Sequence, residues 1–210
     1  MHFDPRKKRD HGLPHNPFKA LVAPRPIGWI STLSTSGVVN LAPYSFFNAV
    51  ADFPPMVMFS STGVKHSQIN AEATGEFVAN LVSYELRDEM VGTSAEVGPE
   101  VSEPEVVGLE MAPSVNVKPP RVARAPAAME CKYLKTVPLT DIDGNLSESA
   151  MIIGQVIGVY IDDAVITDGM VDLAKIRPVA RLGYADYSAV DRVFKLKWDG
   201  GAGLKKALDR

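Results

Sequence analysis

With one cysteine, Cys131, in 210 residues, the chain can form no internal disulfide and no cysteine-based metal cluster. Such cysteine usage favours a reducing compartment. Long apolar runs are missing as well. None approaches the roughly 20 residues that span a bilayer, and the N-terminus carries charge, Gly and Pro without the apolar stretch of a secretory signal. A cytoplasmic protein, not bound to a membrane, is the expectation. Neither sign of charge dominates: 22 Lys and Arg stand against 25 Asp and Glu, for a formal net charge of −3. That balance gives no footprint for nucleic acid, and the local cluster Arg6-Lys7-Lys8-Arg9 reads as a solvated tail. Sequence signatures of catalysis are also absent. No serine sits in G-x-S-x-G, and H-E-x-x-H, G-x-G-x-x-G and G-x-x-x-x-G-K-[ST] do not occur. Hydrolase and Rossmann dehydrogenase readings therefore have no support. His2, His11 and His15 lack the i, i+4 helical context of a metal site and are expected in solvent.

What is present is a succession of β-type runs separated by turn residues, without the βαβα alternation of a parallel sheet. Residues 1–17 read as an irregular arm, 18–198 as one domain and 199–210 as a tail. Phe18 to Val22 allows one helical turn before Pro24 and Pro26. Ile27 to Leu33 and Val38 to Leu41 flank Ser34-Thr35-Ser36-Gly37 as a hairpin, and Met56 to Ser60 is a short apolar strand. Ala42 to Asn48 is open between loop, helical turn and irregular strand edge. His66 to Thr74 is a helix ended by Gly75, with Ser67 as an early polar cap. Glu76 to Val82 is a strand apolar on both faces, and Ser83 is the N-cap of a helix over Tyr84 to Gly92. Ala95 to Lys118 is an acidic, Pro-punctuated connection with one helical turn at Glu105 to Gly108, of the length used by lids or partner contacts. Ala128 to Leu139 and Ala150 to Ile161 are long strands around a turn at Asp143-Gly144. The run from Ala150 to Ile161 reads as covered on both faces, and its Gly154 and Gly158 mark a bulge or a close approach. A short helix or turn at Asp172 to Ile176, a strand at Val179 to Leu182 and a period-two run at Phe194 to Trp198 complete the pattern.

Candidate chemistry concentrates between Arg25 and Ser67. This stretch is dense in Ser, Thr, Asn, Gly and Pro and poor in acid–base groups. Such a mixture suits a bound cofactor whose own atoms react while the protein supplies position and electrostatics. Ser31, Thr32 and Ser34 end a strand. Lys65 and Ser67 open a helix whose N–H groups favour an anion, and Arg25 and Lys65 are the cations available to a phosphate. Ser45, Phe46, Phe47 and Asn48 can frame a planar ring.

These pieces occur in an order that resembles a known family. His15-Asn16-Pro17-Phe18, Arg25-Pro26-Ile27-Gly28-Trp29-Ile30-Ser31-Thr32, Asn40-Leu41-Ala42-Pro43-Tyr44-Ser45-Phe46-Phe47-Asn48, Pro54-Pro55, Glu76 to Leu81 and Arg181 to Tyr187 resemble the flavin reductase-like, FMN-binding split-barrel family. The likeness is to its branch of flavoredoxins and two-component monooxygenase reductases. The RPIGW and NLAPYSFFN blocks are its specific elements. The chain departs from the family at Lys65-His66-Ser67, where Lys-Asp-Thr is common. The resemblance implies a mainly β fold, a six-stranded antiparallel split barrel with a few peripheral helices, and a homodimer with flavin near the interface. It implies FMN, or FAD, as cofactor and NADH or NADPH as reductant, with a monooxygenase or another acceptor protein as partner. Thr32, Lys65 and Ser67 would hold the phosphate, with Ser31 and Arg25 beside them. Ser45, Phe46 and Asn48 would line the ring, Ser60 would assist, and Arg181 would lie close to flavin or nicotinamide. The activity implied is NAD(P)H:flavin reduction, with a non-enzymatic FMN electron carrier as the alternative.

Overall fold

Two long antiparallel strands form the backbone of the sheet. The computed structural model describes residues 1–7 and 11–196. Ala127–Thr140 and Leu146–Ile161 pair along their length, around a turn in which the Asp141 carboxylate accepts from the N–H groups of Asp143 and Asn145, each at 2.9 Å. Numbering the main-sheet strands in chain order, β1 is Gly28–Leu33, β2 Val39–Tyr44, β3 Phe47–Ala51, β4 Met56–Thr62, β5 Glu76–Leu81, β6 Ala127–Thr140 and β7 Leu146–Ile161. Their order across the sheet is β2-β1-β5-β6-β7-β4-β3, with every neighbouring pair antiparallel.

The sheet therefore has seven strands rather than the six expected, and its ladder is not closed. The extra strand, β3, lies in the stretch left open by the sequence. Ser45 and Phe46 interrupt the chain, and Phe47, Asn48 and Ala49 then pair with Phe59, Met58 and Val57 of β4. The two strands on either side of that interruption, β2 and β3, form the opposite edges of the sheet.

Apolar side chains cover both faces of the central strands. On β1, Trp29 packs with Leu41, Val82, Leu86, Met90 and Val122, while its neighbour Ile30 joins Tyr44, Phe59, Phe77, Cys131 and Ile152 on the other face. β5 is buried almost throughout, as expected for a strand apolar on both sides. Burial pushes the Cys131 thiol's pKa upward, with the Glu130 charge adding to the effect, so this side chain behaves as a core residue. β7 differs from its expectation. Ile152, Gly154 and Val156 face inward, but Ile157 and Val159 stay 41% and 62% exposed, so the single chain does not cover both faces.

The helices follow the sequence closely, with different caps. α1 is Phe18–Leu21 and α2 is His66–Thr74, which ends at Gly75 in the left-handed region (φ 74°) with its N–H on the Ala71 carbonyl. Lys65, not Ser67, stands at the N-cap of α2, and the Ser67 hydroxyl bonds elsewhere. Ser83 precedes a 3₁₀ turn at Tyr84–Leu86, which leads into α3 (Arg87–Gly92), and its side chain makes no capping bond. The turn in the long connection is α4, Glu103–Val106, two residues earlier than expected. α5, Leu173–Ile176, is capped by Asp172, whose carboxylate accepts from Ala174 and Lys175 N–H. His11 is buried against the Phe3 ring rather than in solvent. Phe194 to Leu196 form no strand. Lys197, Trp198, the 199–210 tail and the Lys8-Arg9 part of the basic cluster lie outside the described residues. No helix among the described residues is long and apolar enough to cross a membrane.

Two buried carboxylates fasten the loop before β6. Glu130 accepts from Val115 N–H at 2.8 Å and Asn116 N–H at 2.6 Å, and Glu76 accepts from Lys118 N–H at 2.8 Å and pairs with Lys132. Burial acts to raise both pKa values, but the N–H donors, and Lys132 for Glu76, outweigh it and hold both below the ordinary carboxylate value. A depressed carboxylate contributes stability above its unfolded pKa and loses it as pH falls through the folded one. Urea denaturation across the acid range should show stability falling with pH, and E130Q should flatten that fall. An unchanged acid limb in E130Q would count against the assignment. Gly154 gives another check. A Cβ there would lie 2.4 Å from the Phe77 ring and 3.1 Å from the Lys132 carbonyl oxygen. Gly154→Ala should cost about 1–3 kcal/mol by overpacking, and Phe77→Leu in the same chain should recover part of it.

Candidate flavin site

The site is built where β2 leaves one edge of the sheet. Asn40, Ala42 and Tyr44 alternate along β2 and line a hollow of about 340 Å³ together with the β4–α2 turn (Thr62 to Ser67), Thr93 to Val97 and Glu103. A smaller hollow, of about 170 Å³, is lined by Ile27, Pro43, Ser45, Met90, Val91, Ser94, Arg181 and Tyr187. Ser94 lines both, so the two adjoin. The wall between them is held from the core. Trp29 Nε1–H donates to Thr93 Oγ1 at 2.8 Å, and that hydroxyl donates to Met90 O at 3.0 Å.

The larger hollow gathers three charged side chains, Lys65, Glu96 and Glu103. The Lys65 ammonium lies 3.4 Å from Glu96 in an exposed pair, and such pairs contribute little. Ser67 is buried and lies 2.9 Å from the Asn40 side chain. Glu103 is buried and accepts from Leu41 N–H at 3.0 Å. The Tyr44 hydroxyl is buried without a hydrogen bond of good geometry although Ser61 and Ser67 lie beside it, and burial raises its pKa. An unpaired buried hydroxyl is costly, and here it borders a hollow in which a ligand can pair it. The smaller hollow mixes apolar Ile27, Pro43, Met90 and Val91 with Ser45, Ser94, Arg181 and Tyr187. Arg181 stacks on the Tyr187 ring at 4.4 Å and donates to the Tyr187 hydroxyl and the Tyr184 carbonyl. A small three-stranded sheet of Arg25–Pro26, Val179–Arg181 and Tyr187–Ala189 places it there.

The residues anticipated from the sequence divide into two groups. Lys65 and Ser67 line the larger hollow, and Ser45 and Arg181 the smaller. The others line neither. Ser31 is fully buried and donates to Pro120 O at 2.6 Å, and Thr32, also buried, accepts from Asn70 Nδ2 at 3.1 Å. Arg25 donates to the carbonyls of Lys19, Val22 and Leu182, and burial, with Arg181 nearby, lowers its pKa. Phe46 is half-exposed beside Arg25 and Lys19, its carbonyl accepting from Ser60 N–H at 2.8 Å. Asn48 is exposed, with its side-chain oxygen on Ala49 N–H. Asn40, Tyr44, Ser94, Glu96 and Glu103 were not singled out. For Asn40 and Tyr44 the signal was available, because period two from Asn40 places 40, 42 and 44 on one face. Glu103 sits in an acidic connection where nothing in the sequence distinguishes it from its neighbours.

The flavin reductase like domain model matches residues 21–179, well over half of the chain, and the protein belongs to that family. A protein of Aquifex aeolicus (strain VF5) is 39% identical over 183 residues, covering 84% of this chain and 90% of its own length. Among solved structures, nitrilotriacetate monooxygenase component B from Bacillus cereus matches with a TM-score of 0.84 at 26% identity, covering 93% of this chain and 98% of that one. A structure with a split barrel domain from Shewanella frigidimarina NCIMB 400 matches with a TM-score of 0.80 at 26% identity, over 94% of this chain and 99% of that one. The fold is thus a split barrel of the flavin reductase-like class.

The wall between the hollows offers a direct check of the geometry. Thr93→Val keeps the shape but leaves the Trp29 indole N–H without its acceptor, which should cost about 1–3 kcal/mol. Urea denaturation of the purified variant measures it, and an unchanged midpoint would contradict the buried hydrogen bond.

Proposed function

We propose that this protein is an NAD(P)H-dependent flavin oxidoreductase that takes FMN, or FAD, into the two adjoining hollows. The carrying observation is that Ser94 lines both hollows, with Lys65, Ser67 and the start of α2 in one and Ile27, Pro43, Met90, Val91 and the Arg181 guanidinium in the other. A flavin has the matching division, a flat ring at one end and a hydroxyl-bearing chain with phosphate at the other. Together the hollows fall in the size range of small-ligand sites. The donor set fits the group in kind: Ser67, Thr62 and the unpaired Tyr44 hydroxyl suit the polar chain, and Lys65 with the uncapped start of α2 suits the anion.

Flavin supplies hydride acceptance from a reduced nicotinamide and onward electron transfer. The chain's own residues bind and orient. Ser45 and Arg181 would border the ring end, where a guanidinium would stabilise negative charge developing on the bound group. Pro43, Ile27, Met90 and Val91 exclude water from it. No side-chain general acid is needed, in keeping with the scarcity of acid–base groups in the stretch. The Bacillus cereus neighbour is a monooxygenase component, which supports a monooxygenase as the physiological acceptor. The exposed Ile157 and Val159, with Leu134 on β6, support a homodimer in which a second copy covers them.

The purified protein should bind FMN or FAD with a shifted visible spectrum and oxidise NADH or NADPH in its presence, and light scattering should report a dimer. Arg181→Ala should lower turnover about 10–100-fold. Flavin that is bound but reduced only by a partner protein would replace the reductase reading with that of an electron carrier. Absence of binding would overturn both.

A further inference from the structure

The larger hollow holds an electrostatic conflict. Its lining contains one Lys or Arg side chain, Lys65, and two carboxylates, Glu96 and Glu103. Glu96 is 88% exposed and free to leave Lys65. Glu103 is not. It is 6% exposed, and one carboxylate oxygen is held by Leu41 N–H at 3.0 Å. With the Asn40 amide turned to satisfy its neighbours, Asn40 donates to the other oxygen at 3.2 Å and accepts from the Ser67 hydroxyl at 2.9 Å. Acid, amide and hydroxyl form one chain that ends at Ser67, in the hollow that Lys65 also lines, and Glu103 can withdraw only by breaking it. A phosphate monoester bound at Lys65 and Ser67 would share its cavity with this fixed negative charge, where screening by water is reduced. The ribityl hydroxyls of a flavin carry no charge and meet no such opposition.

We propose that Glu103 sets the affinity of the site against the phosphate, so that FMN is held weakly and exchanges as a diffusible substrate instead of remaining as a resident group. The inference rests on the flavin reading above. It predicts little discrimination between FMN and riboflavin, because the carboxylates lining the same hollow offset what Lys65 contributes to the phosphate.

The test is a fluorescence titration of wild type, Glu103→Gln and Glu96→Gln with FMN and with riboflavin. E103Q keeps the acceptor for Leu41 N–H and removes the charge. It should bind FMN about tenfold tighter with riboflavin affinity unchanged, and E96Q should gain about two- to threefold for FMN. In the wild type, raising salt should leave FMN affinity unchanged or improve it relative to riboflavin, a measurement that stands even if E103Q does not fold. FMN affinity unchanged or reduced in E103Q, a parallel change for both flavins, or a steep loss of wild-type FMN affinity with salt would each overturn the proposal. If wild type binds neither flavin, the flavin reading itself fails and this inference falls with it.

Discussion

The crossing from β2 to β3 is the constraint on which the rest of the structure depends. These strands are the two edges of a seven-stranded sheet, which if flat would lie about 29 Å apart at strand spacings of about 4.8 Å. Yet only Ser45 and Phe46 separate Tyr44 from Phe47, and three residue steps reach at most about 11 Å. The sheet has no choice but to curl until its edges nearly meet. Phe46 O accepting from Ser60 N–H secures the seam on the β4 side, while no ladder joins β2 to β3. The result is a barrel with one split, and the hollows lie along β2, the edge that remains without a strand partner there.

That edge explains the chemistry gathered on it. An unpaired strand edge presents N–H and C=O groups that must be satisfied. Glu103, brought from the long connection, accepts from Leu41 N–H, and the residues around it close the larger hollow. The connection between Ala95 and Lys118 is thus anchored by buried carboxylates at both ends, Glu103 within it and Glu76 and Glu130 on the neighbouring strands. It forms a wall of the site and cannot be treated as a loose loop.

Much of this was legible in the sequence. Gly75, Asp172 and the Ser34 to Gly37 turn mark their elements because the local chemistry that ends a helix or turns a hairpin is short-range. Gly154 announces a close approach, which proves to be the Phe77 ring. The misread features depend on distant partners. Ala42 to Asn48 has no decided local preference, and β3 exists because β4 is there to pair with it. Ser67 and Ser83 have the composition of caps, but Ser67 is turned into a buried bond with Asn40. Arg25 resembles a free cation until the carbonyls of Lys19, Val22 and Leu182 surround it. Of the candidate site, the residues on the rim of the curl (Ser45, Lys65, Ser67, Arg181) could be found in advance, whereas Glu103 depends on how the connection folds back.

If the two hollows that share Ser94 in their linings are a single flavin site, a crystal structure of the protein soaked or grown with FMN will show the ring beside Ser45 and Arg181 and the chain running past Ser94 toward Lys65 and Ser67. Flavin bound elsewhere on the molecule, with these hollows filled only by water, would contradict that assignment.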